Sequence, residues 1–365
     1  MTGLRAAVFA GPNRPLELEQ LELEPPREGE VAVRIEASGL CHSDLHVLVG
    51  EWSETPPMVM GHEGCGVVEA VGEGVSHVVP GDRVVLSWFA SCGACPRCRE
   101  GRPWICTRSR ANESLMADGG TRLRRAGGEP VRSYLAVGSL GERTVVPAAG
   151  AIAVPQGLPA DVGALIGCAV ATGVGAVLNT AAVRPGQSVV VIGCGGVGLS
   201  VVMGAVLAEA AVIAAVDLDD AKLALASDLG ATHAVRAGEG ADAALAAIMP
   251  DGPDHVFEAI GLVATMEWAV RLLPLGATAT LVGMTPEGQR ISLDPLEFAS
   301  GGRTLLGCTY GSCIPERDFP YLAELHLAGR LPIDRLISER IGLDDVNRAF
   351  DQMQAGDGAR RVVVF

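Results

Sequence analysis

Four cysteines lie close together at a spacing that is typical of a metal site. Cys92, Cys95, Cys98 and Cys106 follow the pattern CxxCxxCx7C, and the glycine and proline between them allow the chain to turn sharply. Four thiolates around one tetrahedral ion form a closed structural zinc site. Three alternatives remain open on these residues alone: an iron–sulfur cluster, reduced thiols without a metal, and a zinc ribbon that binds nucleic acid.

A glycine-rich turn follows an apolar run of strand length and precedes an apolar stretch of helical length. It reads GCGGVG at 193–198. In such a strand–turn–helix unit, Gly193 allows the tight turn, Gly195 lets a pyrophosphate approach the helix N-terminus, and Gly198 lets helix and strand pack closely. Asp217 follows at the end of the next predicted strand, where a carboxylate binds a ribose diol and repels a 2′-phosphate. The pattern predicts a site for NAD(H) rather than NADP(H), although a purely structural turn could use the same glycines.

Further candidate ligands are dispersed along the chain. The segments GLCHSDLH, GHEG and IGC contain Cys41, His62 and Cys168. A single buried cysteine usually serves packing, and a lone histidine is usually structural. The spacing of these three residues therefore does not by itself join them into one site.

The elements that must position these residues differ between the two parts of the chain. Up to about residue 160, short apolar runs broken by glycine, proline and aspartate predict a β-rich, barrel-like domain. Further along, strands alternate with helices, which predicts an α/β domain with a parallel, doubly wound sheet. The predicted strands of that sheet are 188–193, 211–217, 232–236, 254–259, 277–283 and 303–309. Past residue 311 we expect a helix, a short strand, a second helix and a final strand at 361–365.

The composition argues against several classes of function. The 365 residues are 48% hydrophobic and 19% charged, so the chain can bury large cores and is expected to form two domains. A net charge of −15 without a basic run argues against a nucleic-acid partner. Two uncharged stretches, 162–183 and 185–208, are long enough to span a membrane, but their alanine and glycine content favours buried α/β segments.

The ten cysteines and the N-terminal segment together indicate a compartment. The first residues hold only a brief apolar stretch, too short for the core of a signal peptide. Cysteines in a long chain without an export signal are more often metal-binding or catalytic than disulfide-bonded. We therefore expect a cytoplasmic protein with no membrane partner.

The combination of motifs resembles the zinc-containing medium-chain alcohol dehydrogenases over essentially the whole length, in the branch with a long loop that includes animal-type and thiol-dependent formaldehyde dehydrogenases. The matching stretches are GLCHSDLH at 39–46, GHEG at 61–64, the four-cysteine lobe, LIGCAVATG at 165–173, GCGGVGLS at 193–200 and VDLDDAK at 216–222. The resemblance implies a GroES-like catalytic domain over 1–169 with a structural zinc lobe at 91–107. It further implies a Rossmann NAD-binding domain over 170–309 and a return to the catalytic domain over 310–365.

The resemblance also implies roles for individual residues, and two zinc ions per chain. Cys41, His62 and Cys168 would hold the catalytic zinc, and the four clustered cysteines the structural one. Asp44 and Glu63 would lie close behind the catalytic metal, Ser43 would bond the substrate oxygen, and His46 would end a proton relay. The implied contacts to NAD are His42, Thr172, Gly193, Gly195, Gly196, Val197, Gly198, Asp217, Lys222 and Arg360. The implied lining of the substrate pocket is Trp52, Trp88, Arg110, Ala111 and Met284.

The activity implied by the resemblance is hydride transfer between NAD(H) and a primary or secondary alcohol or an aldehyde, with a bulky apolar or aromatic substrate. Zinc would act as a Lewis acid on the alcohol, and Ser43 and His46 would pass its proton to solvent. An alternative is oxidation of a formaldehyde–thiol adduct, S-hydroxymethyl mycothiol or glutathione, although Trp52 and His46 depart from that branch. A non-catalytic zinc- and nucleotide-binding protein is the alternative from another class. The family likeness also implies a homodimer or homotetramer.

Overall fold

The computed structural model describes residues 1–109 and 113–365, and these residues form two compact units. The first unit comprises Met1–Cys168 and Ile314–Phe365, and the second comprises Ala169–Cys313. The family resemblance implies the corresponding boundaries after residues 169 and 309. The second unit is therefore an insertion between two segments of the first.

Strands occur in both units of the described chain, and most of them are short. In chain order they are β1 (Thr2–Phe9), β2 (Glu17–Leu23), β3 (Glu30–Gly39), β4 (Met58–Val59), β5 (Glu63–Val71), β6 (Arg83–Leu86), β7 (Leu123–Arg125), β8 (Pro130–Ser133), β9 (Arg143–Pro147), β10 (Ala151–Ala153), β11 (Ser188–Ile192), β12 (Val212–Asp217), β13 (His233–Arg236), β14 (His255–Glu258), β15 (Thr278–Leu281), β16 (Thr304–Gly307), β17 (Ile337–Ile341) and β18 (Arg360–Val364).

The α-helices of the same residues are mostly short. They are α1 (His42–Leu48), α2 (Pro96–Arg99), α3 (Ala160–Leu165), α4 (Ala171–Gly175), α5 (Gly196–Leu207), α6 (Asp220–Asp228), α7 (Ala241–Ile248), α8 (Val263–Arg271), α9 (Pro295–Ser300), α10 (Pro315–Leu327) and α11 (Val346–Gln354). Two π-helical turns, Ile166–Val170 and Ala176–Thr180, continue α3 and α4.

The first unit is built from two β structures. Strands β1, β2, β7, β8 and β4 close into a small barrel, and a larger sheet has the order β10-β6-β5-β3-β18-β17, with β9 also paired to β3. The central strand β3 places Val31, Val33 and Ile35 in the core, as the alternation along its sequence predicts. Strand β18 pairs antiparallel with β3, so the segment after the inserted unit completes the sheet.

The second unit contains one parallel sheet, as predicted. Its order is β13-β12-β11-β14-β15-β16, and every pairing in it is parallel. The strand β11 is a continuous apolar run whose last four residues are buried, the pattern expected of a strand covered on both faces. The order of the strands reverses between β11 and β14, and open α/β sheets bind ligands at such a point. The α/β fold class predicted from the sequence is confirmed.

One helical segment, Ala160–Thr180, is long and apolar enough to cross a membrane by length and composition. Its most apolar window is 83% buried inside the protein, as in a core helix. The second uncharged stretch of the sequence divides into the strand β11 and the helix α5. Both stretches therefore contribute to the packed interior, the interpretation favoured from their alanine and glycine content.

Candidate metal centres and dinucleotide site

A buried carboxylate joins the two segments that carry Cys41 and His62. Asp44, in the first turn of α1, accepts the backbone N–H of Cys41 through Oδ2 at 3.2 Å. Its Oδ1 accepts the backbone N–H of Gly61 at 3.0 Å and lies 3.4 Å from Nδ1 of His62. The Asp44 carboxylate is completely buried, so these contacts replace its lost hydration. Because Nδ1 faces a carboxylate, Nε2 is the ring nitrogen left for a metal.

The backbone before His62 requires a glycine. Gly61 has a φ of 88°, and a Cβ at this position would collide with Ser139 and Leu140. His62 itself is buried, and the edge of the Tyr134 ring contacts its imidazole at a centroid distance of 5.6 Å. The Tyr134 hydroxyl donates to the carbonyl of Ser43 at 3.3 Å. Tyr134 thus braces both α1 and the histidine, a role that the sequence analysis missed.

Cys168 lies in the π-helical turn Ile166–Val170, directly after α3. Such wide turns hold one more residue than an α-helical turn and occur frequently at functional sites. Gly167 lets this turn approach β6, since a Cβ there would lie 2.7 Å from the carbonyl oxygen of Leu86. The turn brings the thiol of Cys168 to the buried end of β5 and α1.

The structure brings Cys41, His62 and Cys168 together, which their spacing could not predict. One ligand atom from each, together with a carboxylate oxygen of Glu63, lies within 4.8 Å of all the others, and all four residues are buried. Zn–S bonds of about 2.3 Å in a tetrahedral site place two sulfurs about 3.8 Å apart. Two sulfurs and one imidazole nitrogen are a donor set of zinc, and three protein ligands leave one position for a water or a substrate.

The ligand groups of this cluster alter one another's pKa. A hydrogen bond from Cys168 lowers the pKa of the Cys41 thiol well below its ordinary value, although burial opposes this shift. The same contact and burial raise the pKa of the Cys168 thiol. Burial disfavours the charged form of His62, but Asp44 and Cys41 outweigh it and raise the pKa of that imidazole. Metal binding requires these groups to lose their protons, so a divalent cation would compete with protons for the cluster.

Glu63 begins β5, and its carboxylate forms a buried ion pair with Arg360 of β18. Burial raises the pKa of Glu63 to about 7 in spite of Arg360. Its second oxygen, Oε2, has no hydrogen-bond partner among the described residues. Gly39 leaves the space for that oxygen, because a Cβ at Gly39 would collide with it. The orphaned oxygen lies beside the thiolate and imidazole donors, so it fits a site that holds a cation.

The four clustered cysteines also form a metal-binding geometry. The Sγ atoms of Cys95 and Cys98 are 3.5 Å apart, and those of Cys95 and Cys106 are 3.8 Å apart. Three of the sulfurs accept backbone N–H groups. The N–H of Cys95 donates to Sγ of Cys92 at 3.3 Å, and the N–H of Cys98 donates to Sγ of Cys95 at 3.5 Å. The third acceptor is Sγ of Cys106. The N–H of Cys98 lowers the pKa of Cys95 to about 5. These distances match the edges of a tetrahedral zinc–thiolate site.

The glycine turn of the second unit has the predicted geometry. Gly193 has a φ of 96°, and a Cβ on Gly198 would collide with the carbonyl of Gly193. The helix α5 begins at Gly196 with Gly195 as its N-cap, so its N-terminal N–H groups are available to an anion. Asp217 at the end of β12 accepts the N–H of Cys194 at 2.7 Å and that of Asp219 at 3.0 Å. Each carboxylate oxygen keeps a further lone pair for a ribose diol.

The remaining predicted residues are distributed over both units. In the first unit, His42 is exposed and Ser43 and His46 are half-buried on α1, while Trp52 stacks on His46 and Trp88 contacts the edge of Phe89. In the second unit, Thr172 lies in α4, Lys222 lies in α6, and Met284 is 57% exposed. Val197 lies in the first turn of α5. Arg110 and Ala111 fall outside the described residues.

Two contacts near the site had no clear signal in the sequence analysis. The Glu51 carboxylate binds Nδ1 of His46. Its sequence signal is indirect: the adjacent Gly50 is a residue type that often ends helices and turns the chain back. The ion pair of Glu63 with Arg360 joins residues 297 positions apart, a separation at which no local pattern operates.

Comparison with known proteins agrees with the geometry of both units. Residues 27–156 match the family described as alcohol dehydrogenase GroES-like domain, and residues 196–328 match the family described as zinc-binding dehydrogenase. Alcohol dehydrogenase class-3 of Cereibacter sphaeroides is 36% identical over 99% of both chains. S-(hydroxymethyl)glutathione dehydrogenase of Paracoccus denitrificans is also 36% identical, with the same coverage.

A solved structure shows the same architecture. The crystal structure of benzyl alcohol dehydrogenase from Acinetobacter calcoaceticus superposes with a TM-score of 0.94 at 30% identity, covering 100% of both chains. The first unit accordingly has a GroES-like fold, and the second is a Rossmann domain. With its two cysteine-containing donor clusters and its dinucleotide turn, this chain belongs to the zinc-dependent medium-chain alcohol dehydrogenase family.

Proposed function

We propose that this protein oxidises bulky apolar or aromatic alcohols with NAD⁺, or reduces the corresponding aldehydes with NADH. The overall reaction converts the alcohol and NAD⁺ into the aldehyde or ketone, NADH and H⁺. The observation that carries this proposal is the buried convergence of Cys41, His62 and Cys168, whose ligand atoms lie within 4.8 Å of one another.

The roles of the metal ligands follow from their donor atoms. When bound, zinc supplies a Lewis acid that lowers the pKa of an alcohol, and NAD⁺ supplies the hydride acceptor. Cys41 and Cys168 would hold the ion through sulfur and His62 through Nε2, while Cys92, Cys95, Cys98 and Cys106 would hold a second, structural ion. Asp44 maintains the tautomer of His62 through its contact with Nδ1.

The proton of the alcohol needs a path to water. Ser43 and His46 lie on the same helix, α1, and both are half-buried. The Ser43 hydroxyl can accept the proton of the substrate while it donates its own, and the imidazole of His46 can release a proton to solvent. Glu63 and Arg360 would maintain the charge balance behind the donors, because their buried pair lies within the same cluster.

The glycine turn and Asp217 of the Rossmann domain favour NAD(H) over NADP(H). The pyrophosphate would bind at the N-terminal end of α5, beside Gly195, Gly196 and Val197. Asp217 presents its carboxylate where a ribose diol would bind, and a 2′-phosphate at the same place would meet a like charge. Thr172, Lys222, His42 and Arg360 are proposed as further contacts. His42 would bind the pyrophosphate most strongly when it is protonated.

Two tryptophans of the first unit, Trp52 and Trp88, favour a substrate class. Trp52 is partly buried and packs against the apolar core under α1, and Trp88 is half-buried. Flat indole faces favour aromatic or extended apolar substrates over small alcohols. Benzyl alcohol dehydrogenase, which shares this architecture, acts on an aromatic alcohol by its name. Met284 and the segment with Arg110 and Ala111 are proposed as further lining.

A second candidate substrate is a formaldehyde–thiol adduct. Its specific support is the 36% identity to proteins named S-(hydroxymethyl)glutathione dehydrogenase. The aromatic Trp52 and the carboxylate-bound His46 are a poor match for the carboxylates of glutathione. For this reason we rank the adduct behind the aromatic alcohol.

The test combines metal analysis with a substrate panel. The purified protein is expected to hold two zinc ions per chain and to reduce NAD⁺ faster with benzyl alcohol or cinnamyl alcohol than with ethanol. The same assay with formaldehyde, with and without glutathione or mycothiol, tests the second candidate. Activity confined to the thiol adduct would replace the first candidate with the second, and a zinc-loaded protein without hydride transfer to any substrate would contradict both.

We also propose a homodimer or homotetramer in the cytoplasm. The strand β16 is an edge of the parallel sheet, and its residues Thr304–Gly307 are only partly buried or exposed. Leu296 on the neighbouring helix α9 is 76% exposed. An edge strand with unpaired backbone groups is a natural surface for a second copy. Light scattering gives the mass directly, and a monomer at micromolar concentration would contradict this proposal.

A further inference from the structure

The end of α1 has a specific turn that returns the chain to the helix. Gly50 has a φ of 77° and donates its backbone N–H to the carbonyl of Val47 at 3.1 Å. Glu51 donates its backbone N–H to the carbonyl of His46 at 2.8 Å. These two bonds define the Schellman motif, in which a left-handed glycine closes the last turn of a helix. The turn places residue 51 directly over residue 46.

The side chains at these two positions form an unusual contact for this motif. A Schellman turn is commonly accompanied by an apolar contact between the residue after the glycine and the helix. Instead, the Glu51 carboxylate lies 2.5 Å from Nδ1 of His46. The next residue adds a second restraint, because the Trp52 ring stacks on the imidazole with a centroid distance of 4.5 Å and an interplanar angle of 23°. The imidazole is thus held at one edge and on one face.

The chemistry of the contact determines the tautomer of the ring. An ionised carboxylate only accepts hydrogen bonds, so Nδ1 of His46 must carry the proton. The lone pair of the neutral ring then lies on Nε2. The His46 side chain is 16% exposed and that of Glu51 is 42% exposed, so the pair lies at the boundary with solvent. A proton that arrives at Nε2 would produce an imidazolium whose Nδ1–H still donates to the Glu51 carboxylate.

Other charged groups lie on α1 and on the segments next to it. Asp44 binds the backbone of Cys41 and Gly61. The helix α11 packs against α1, and its Arg348 pairs with Glu339 and Asp345. Asp351 of α11 is exposed, and Glu54, beyond Trp52, is half-buried with a pKa raised by burial.

We propose that Glu51 is a positioning residue for proton transfer: it holds His46 as the Nδ1–H tautomer, so that Nε2 accepts the substrate proton and then returns it to water. The inference rests on the proposed function, in which His46 is the outer group of the relay. The transfer is a proton movement alone: Nε2 accepts the proton that the alcohol releases and passes it to a water molecule. No residue is oxidised or reduced, and Glu51 retains its charge throughout.

Two substitutions of Glu51 separate positioning from a structural role. In Glu51→Gln the amide can still bind the ring but has no charge, and we expect kcat to fall about tenfold with little change in KM. In Glu51→Leu the apolar contact common in Schellman turns is restored. That variant is expected to keep the melting temperature while kcat falls at least as far.

The controls make the outcomes distinguishable. Glu129→Gln, on the barrel, removes one negative charge from a side chain that pairs with Arg125 and should leave kcat unchanged. In a His46→Gln background, Glu51→Gln should have no further effect, because it acts only through the imidazole. An unchanged pH profile in His46→Gln alone would overturn the relay and the inference together. A slow His46→Gln with normal Glu51 variants would overturn the inference and leave the proposed function standing.

The tautomer can be observed without turnover. Nitrogen-15 NMR of the zinc-loaded protein with labelled histidine, assigned through the His46→Gln spectrum, reports which ring nitrogen carries the proton. We expect the Nδ1–H form in the parent protein and a mixture of both forms in Glu51→Leu. An Nε2–H form of His46 in the parent protein would contradict the inference irrespective of the kinetics.

Discussion

The Asp44 carboxylate lies 3.4 Å from Nδ1 of His62 and at the same time accepts backbone N–H groups from Cys41 and Gly61. One buried side chain thus orients an imidazole donor and aligns the two segments that carry the sulfur and nitrogen donors. In the four-cysteine lobe, by contrast, backbone N–H groups lie behind the sulfurs of the second zinc-binding cluster. The two clusters are therefore expected to respond differently to loss of a carboxylate.

Replacement of Asp44 by asparagine tests this relationship. Asp44→Asn keeps the size of the side chain but removes the charge that favours the Nδ1–H tautomer of His62. We expect the affinity of one of the two zinc ions to fall about 10- to 100-fold, with a parallel loss of kcat. Competition with a chromophoric chelator measures the affinity. Asp82→Asn serves as the control, because the carboxylate of Asp82 accepts the N–H of Val79 in an outer loop. Equal zinc affinity in the two variants would refute the role of Asp44.

Cys168→Ser separates the two zinc-binding clusters. Serine is a poor zinc ligand, so the variant is expected to lose about one zinc ion per chain and nearly all activity, while the other ion remains. Cys308→Ser is a matched control, because the Cys308 sulfur is buried in the Rossmann unit, where it receives the hydroxyl of Thr180 at 3.5 Å. Mass spectrometry measures the number of zinc ions per chain in both variants. Two retained zinc ions and full activity in Cys168→Ser would exclude Cys168 as a ligand.

Asp217→Ala tests the cofactor preference. The variant removes both the charge that would repel a 2′-phosphate and the acceptor for the N–H groups of Cys194 and Asp219. We expect the ratio of kcat/KM for NAD⁺ to that for NADP⁺ to fall about 10- to 100-fold, with a higher KM for NAD⁺. Asp219→Ala is the control, because Asp219 caps α6 and should affect stability more than preference. A ratio that stays at the parental value would disprove the assignment.

The buried His255 is expected to make the free energy of unfolding depend on pH. It begins β14, is buried beside Gln187, and burial lowers the pKa of its imidazole in the folded protein. The unfolded chain therefore binds more protons as the pH falls through the ordinary value of about 6.5. Stability from this group is complete above that pH and declines toward the lower pKa of the folded state. Thermal unfolding between pH 5 and 7.5 should show a shallower pH dependence for His255→Gln than for the exposed His233→Gln, and identical slopes would rule out this contribution.

Local patterns predicted the parallel sheet well. The predicted strands at 188–193, 211–217 and 254–259 contain the observed β11, β12 and β14 and exceed them by one or two residues at the ends. The ends of the strands are harder to predict from the sequence. Gly193 and Ala259 are small and continue the apolar runs, but they lie directly after the last residues of β11 and β14. Burial on both faces makes such strands continuous apolar runs, which is why they are evident in the sequence.

The convergence of Cys41, His62 and Cys168 could not be predicted from their spacing. Cys41 is at a helix N-terminus, His62 lies directly before a strand and Cys168 lies in a π-helical turn, so no common periodicity links them. Resemblance to a known family supplied the grouping. It did not supply the Glu51 contact, which depends on the side chain that happens to follow a left-handed glycine.

The position of β18 has a consequence for biosynthesis. This strand carries Arg360 and pairs with β3, yet the whole Rossmann unit lies between them in the chain. A ribosome therefore delivers the partner of Glu63 only after the complete nucleotide-binding unit has been translated. Until then the end of β3 lacks its pairing with β18, and the Glu63 carboxylate lacks the cation that pairs with it in the folded protein.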